Sequence, residues 1–176
     1  MDIAPQEGYD VSMKKETIQK LTFSGLLAAE IILLTTLVAI PMPGGLGFLN
    51  LGDAGVLSAA FILGSPWGVL CAGVASAVSD LLLGYAVYAP ASFLIKGAMA
   101  GLFLLLRRVI KEKGIWIAFL VSSLCVPAGY FLYESLLYGA AAAAPNVLFN
   151  ALQGMIGAAV AYATHGFLAK LLARMR

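Results

Sequence analysis

Residues 20–40, reading LTFSGLLAAEIILLTTLVAI from Leu21, form an apolar run of about the twenty residues a helix needs to cross a hydrocarbon core. Runs of this kind recur along the chain, and they constrain the fold more than any single residue does. A soluble domain has about 25% charged residues. Here the figure is 11%, with 61% hydrophobic and a mean hydropathy of +0.94. Composition and runs together read as an integral membrane protein. No separate soluble domain is expected in 176 residues. The first run is not expected to be a cleaved signal peptide, because about twenty mostly polar residues precede it and it has the length of a full span. The polar tail, residues 1–18, is expected to be disordered or to lie on the membrane surface, which leaves 19–176 as the membrane domain.

Taken in order, the breakers divide the chain into six helices. The first ends at Pro41-Met42-Pro43, where proline removes donors and disfavours helix before it. Residues 41–48, PMPGGLGF, read as a mobile loop. Asn50 and Asp53 are good N-cap residues for a short second helix over 53–64, stopped by Gly64-Ser65-Pro66. A third is predicted over 67–83. Gly84 and Pro90 bracket a turn that carries Tyr85 and Tyr88. A fourth is predicted over 91–106, followed by the basic link RRVIKEKG. A fifth is predicted over 115–137, and an alanine-rich turn at 139–145 leads to a sixth over 146–172. The fold class is an all-α six-helix membrane bundle without an internal repeat.

Ten of the eleven basic residues fall on one side of such a bundle. Lys14, Lys15 and Lys20 flank the first helix, Arg107, Arg108, Lys111 and Lys113 occupy the 4–5 link, and Lys170, Arg174 and Arg176 close the chain. Basic residues mark the cytoplasmic side. Both termini are therefore expected inside, and an odd helix count would place a basic cluster outside.

Five charges are left over: Glu30, Asp53, Asp80, Lys96 and Glu134. A charge inside a bilayer costs a few kcal/mol even on mild scales, about 2.5–3.5, and marks a functional site by default. At 1.5 Å per residue, Lys96 lies about 8–9 Å below the outer end of the fourth helix, and Asp80 and Glu134 about one turn from the outer ends of theirs. Asp53 opens the second helix. Asn146, Asn150 and Gln153, at i, i+4 and i+7, share one face of the outer half of the last helix. Tyr85, Tyr88 and Tyr138 sit at outer ends or turns. The convergence predicts a polar pocket opening outward under the 41–52 loop, suited to an aromatic, hydrogen-bonding solute.

Each residue also has a plain structural role open to it. Asp80 and Lys96 either pair across adjacent antiparallel helices or line the site, with Asp80 holding Lys96 while the site is empty. Lys96 can also snorkel outward. Asp53 is either a helix cap or a ligand contact. Tyr85 and Tyr88 are ligand contacts or interface-belt aromatics, and Asn150 and Gln153 are ligand contacts or interhelical glue. Glu30 is expected to pair with a neighbouring helix, and His165 to lie at the cytoplasmic interface.

Small residues mark close helix approach: Ser24 with Ala28 and Gly25 with Ala29 on the first helix, Gly97 with Gly101 on the fourth, and Gly154, Ala158 and Ala161 on the sixth. The first-helix set either packs inside the bundle or docks another membrane subunit. Cys71 and Cys125 read as small buried hydrophobes rather than a redox or metal pair. The sequence holds no GxxxxGK[ST] phosphate loop, HExxH motif or GxSxG elbow, so it offers no ATP site or metal site of its own.

Leu49-Asn50-Leu51-Gly52-Asp53, then Gly84-Tyr85-x-x-Tyr88-Ala89-Pro90, then Ile95-Lys96-Gly97 occur in that order. With the six-helix pattern over about residues 20–176, the chain resembles the substrate-binding S components of energy-coupling-factor (ECF) vitamin transporters. It is similar to the branch that takes riboflavin, hydroxymethylpyrimidine or pyridoxine. The resemblance implies a multi-pass protein of a prokaryotic cytoplasmic membrane that binds a vitamin at an outer pocket. It also implies docking on a membrane T subunit driven by two ATPases, which alone use ATP, and toppling of the S component to deliver its cargo. With this resemblance, the candidate pocket residues are Asn50, Asp53, Asp80, Tyr85, Tyr88, Lys96, Glu134, Asn146, Asn150 and Gln153. Family members dock through an Ala-x-x-x-Ala pair on the first helix; this chain has Ser24/Ala28 and Gly25/Ala29 there. The competing expectations are a membrane enzyme acting on lipid or peptide through carboxylates, and an assembly subunit without a ligand.

Overall fold

A computed structural model describes residues 7–42 and 46–175, with side chains for 17–42 and 46–170. Among the described residues seven α-helices run in order: α1 (Glu7–Leu37), α2 (Gly52–Leu63), α3 (Pro66–Leu82), α4 (Ala89–Val109), α5 (Ile115–Ser123), α6 (Cys125–Tyr138) and α7 (Ala140–Met175). Four helical stretches are long and apolar enough to cross a membrane, α5 and α6 counting together as one with the turn before them; α2 and α3 are shorter. The protein is an all-α integral membrane bundle. Its surface is inverted relative to a soluble fold: Leu136 is 86% exposed while Glu134, two residues away, is 1% exposed. Lipid solvates the leucines, and the bundle interior is left to the polar groups.

Local chemistry sets the boundaries. Gly64 ends α2 with φ +57°, a left-handed conformation open to glycine, and its N–H bonds Ala60 O at 3.0 Å. Pro66 then starts α3 in the first turn, where its missing N–H is harmless. Helix α1 begins at Glu7, inside the polar tail of residues 1–18, with residues 1–6 outside those described. Two sequence expectations change. The turn predicted over 139–145 shrinks to Gly139, at φ +88°, and α7 carries Pro145 within it. The fifth helix is broken at Leu124. Pro127 cannot donate to Ser123 O, which frees that carbonyl. The backbone of α7 comes up against it at Gly154, where a Cβ would stand 2.8 Å from Ser123 O.

The loop between α1 and α2 is a short antiparallel hairpin, β1 (Ile40–Pro41) on β2 (Phe48–Leu49), tightened by Met42 N–H donating to Gly47 O at 3.1 Å. Below the polar end, the apolar core packs the Phe103 ring tilted against Phe119, centroids 4.6 Å apart, with Ile31, Leu57 and Met99 fully buried around them. At the opposite end of the bundle His165 stacks on Tyr162 at 4.7 Å, and Arg107 donates to Phe61 O at 2.7 Å while lying over the Phe61 ring.

On α1, Leu27, Ile31 and Thr35 recur every fourth residue as the buried stripe. Ala28 packs beside it against the core, and Ser24 O accepts from the Cys71 thiol at 3.3 Å. Gly25 and Ala29 are exposed, with nothing within 4 Å of the position of a Gly25 Cβ. Glu30, expected to pair with a neighbouring helix, is exposed instead. It falls one helical step, 100°, off the buried stripe.

Candidate functional site

Under the hairpin, a cavity of about 30 Å³ sits where one end of every long helix meets the start of α2. Helical periodicity supplies its lining in pairs one turn apart: Ser76 and Asp80 on α3, Ser92 and Lys96 on α4, Tyr130 and Glu134 on α6. Asn150 and Gln153 line it from α7, Tyr88 from the turn before α4, and Asn50 from the segment after β2. Thr35 on α1 and Met42, Leu46 and Phe48 of the hairpin close it.

Two hydrogen-bonded groups frame this space. In the first, Lys96 pairs with Asp53, both buried. Gln153 Nε2 donates to Asp53 Oδ2 at 3.0 Å, and Gln153 Oε1 accepts from the Asn50 backbone N–H at 3.1 Å and from its Nδ2 at 3.2 Å. Asn50 Oδ1 in turn accepts from Gly52 N–H at 2.9 Å, which fixes the entry to α2. Glycine at 157 is what lets α7 come this close to Asp53: a Cβ there would lie 2.5 Å from Asp53 Cβ. In the second group, Asn146 Nδ2 donates to Glu134 Oε2 at 3.0 Å and to Leu46 O at 3.1 Å, tying the hairpin to α7. Tyr88 O–H reaches Glu134 Oε1 at 3.4 Å.

The pairing of Lys96 with Asp80 expected from their position on adjacent helices does not form. The first turn of α2 lies against α4 and presents Asp53, fully buried, to the ammonium. Asp53 is accordingly no cap; the N-cap is Leu51. Lys96 does not snorkel outward either, being 4% exposed and 5.4 Å from the Tyr130 ring centroid.

Of the ten predicted residues, seven line the cavity. Asp53 and Asn146 stand behind it and hold lining groups, and Tyr85 lies outside, packed on Phe48 at 4.9 Å and Tyr88 at 6.2 Å. Ser76, Ser92 and Tyr130 escaped the sequence reading, although each stands one turn before a charge that did not. Ser92 Oγ and Tyr130 Oη lie 2.6 Å apart. Thr35 and the hairpin side chains gave no signal, since nothing local marks an apolar loop residue as a lid.

A family model for the ECF-type riboflavin transporter S component matches residues 15–170. The chain belongs to this family. The S component is a vitamin-binding subunit of a multi-pass membrane transporter rather than an enzyme. It is 32% identical to the thiamine precursor transporter HmpT of Lactococcus lactis over 146 residues, covering 82% of this chain and 84% of that one. It is also 40% identical over 63 residues to an uncharacterized protein of Pyrococcus woesei, covering 36% of this chain and 42% of that one.

Proposed function

We propose that this S component takes up a small heteroaromatic vitamin precursor of the hydroxymethylpyrimidine class, held in the cavity under the hairpin. The observation that carries this reading is the small polar cavity. A buried water needs about 10–15 Å³, so about 30 Å³ holds two or three waters, and the lining must give way for any ring to bind. A single pyrimidine requires the least displacement, and the Lactococcus relative is named for a thiamine precursor. The aromatic wall of Tyr88 and Tyr130 and the donors Lys96, Asn150 and Gln153 suit a flat ring with hydrogen-bonding edges. The name of the family model favours a second reading, riboflavin. Mass spectrometry of what co-purifies in detergent separates the two: the pyrimidine reading expects a small non-flavin ligand, and a yellow preparation containing flavin overturns it.

The subunit works with an ECF T subunit and two ATPases that supply the ATP hydrolysis, and both termini face the cytoplasm. The ten-to-none distribution of basic residues between the two sets of links supports this orientation. Docking uses the Gly25/Ala29 face of α1 rather than Ser24/Ala28. The exposure of the first pair, and the engagement of the second with α3 and the core, support this choice.

A further inference from the structure

Three charged side chains, Asp80, Lys96 and Glu134, line the cavity, and Asp80 is the one whose hydrogen bonding is incomplete. Among the described residues no donor reaches Asp80 Oδ2, although the residue is only 5% exposed. The other two carboxylates of the site are engaged, Asp53 by Lys96 and Gln153, and Glu134 by Asn146 and Tyr88. Among the described residues Ser24 Oγ and Ser135 Oγ also lack partners, but neither residue lines the cavity. A buried acceptor without a donor is costly and uncommon, and it calls for a reason. From α4 the Ser92 hydroxyl offers the Asp80 carboxyl a hydrogen bond and Lys96 faces it, yet the Lys96 ammonium is committed to Asp53 and Oδ2 stays open. The site therefore holds three carboxyl groups against one ammonium, and its surplus is in acceptors.

We propose that Asp80 selects the ligand: its free oxygen accepts a hydrogen bond from an exocyclic amino group on the ring. The substrate class is then an amino-substituted heteroaromatic. A ring that offers only acceptors leaves Oδ2 without a donor and is rejected. This inference rests on the small-vitamin reading above and adds the edge of the ring that is read.

The test is calorimetry on the purified chain in detergent with two probes, 4-amino-5-hydroxymethyl-2-methylpyrimidine and the same ring with hydrogen in place of the amino group. The native chain is expected to prefer the amino ring by about 10- to 100-fold, the range that losing one buried hydrogen bond supports. Asp80→Ala is expected to bring that ratio close to one. The thermal midpoint of ligand-free Asp80→Asn is expected to be no lower than that of the native chain, because the oxygen holds nothing in the empty site. Equal binding of both rings by the native chain overturns the proposal and leaves the small-pyrimidine reading standing. A lowered midpoint for Asp80→Asn, or an Asp80→Ala chain that weakens both rings equally, makes Asp80 a structural residue and also overturns it. Failure of the native chain to bind either ring overturns the pyrimidine reading and the proposal with it.

Discussion

Lys96 on α4 reaches past Asp80, its neighbour across the α3–α4 turn, and pairs with Asp53 on α2, 43 residues away in sequence. The ion pair thus ties the start of a short helix, too short to span by itself, to a long one. Through Gln153 it also reaches α7 and the segment that follows the hairpin.

Removing one partner should be worse than removing both. Lys96→Met leaves Asp53 charged and 0% exposed, a change that costs about 3–5 kcal/mol when a buried pair is broken. The double variant Lys96→Met/Asp53→Asn should recover most of that loss. Thermal unfolding in detergent measures both, and an equal fall for single and double variants would show that the pair does not hold α2.

Asn146 fastens the hairpin to α7 through Leu46 O and orients Glu134. Asn146→Ala should weaken vitamin binding by about 1–3 kcal/mol, or about 5- to 150-fold, with most of the change in the dissociation rate. Stopped-flow fluorescence with ligand chase checks this. A change confined to association would mean that the bond does not latch the hairpin.

Glycine is required at 157 and not at 25. Gly157→Ala drives a methyl group into Asp53 and the Ala54 backbone, 2.5 and 3.1 Å away, and should destabilise the bundle by about 1–3 kcal/mol. Gly25→Ala meets nothing within 4 Å and should leave the thermal midpoint unchanged or slightly raised.

Ala29→Trp should abolish uptake in cells that carry the whole transporter while leaving vitamin binding by the purified chain intact. Ala28→Trp, which intrudes on the core, should lower the thermal midpoint. Uptake at the native rate by the Ala29 variant would move the docking face elsewhere.

Much of the site was legible because helices are periodic. Charges inside apolar runs stand out, and their depth follows from counting residues. Asp80, Lys96, Glu134 and the α7 amides could therefore be assigned to one end of the bundle before any contact was known. The same periodicity carried Ser76, Ser92 and Tyr130, one turn from those charges, but a serine or tyrosine in an apolar helix has too many ordinary roles to be singled out. The break at Pro127 was also written in the chain. It passed unnoticed because proline in a membrane helix is tolerated wherever a neighbour accommodates the freed carbonyl, and here that neighbour is Gly154.

By itself the sequence determined the membrane class, the helical segments and the end at which the polar groups gather. These depend on local quantities: apolar run length, 1.5 Å of rise per residue and the breaking power of proline and glycine. Only the tertiary structure decided which carboxylate holds Lys96, which one is left with an open oxygen, and which pair of small residues on α1 faces outward. Those outcomes depend on how α2 and α7 lie against α4 and α6. That packing is set by contacts between residues more than 100 positions apart, and no local pattern encodes a choice among acceptors that are equally well placed along the helices.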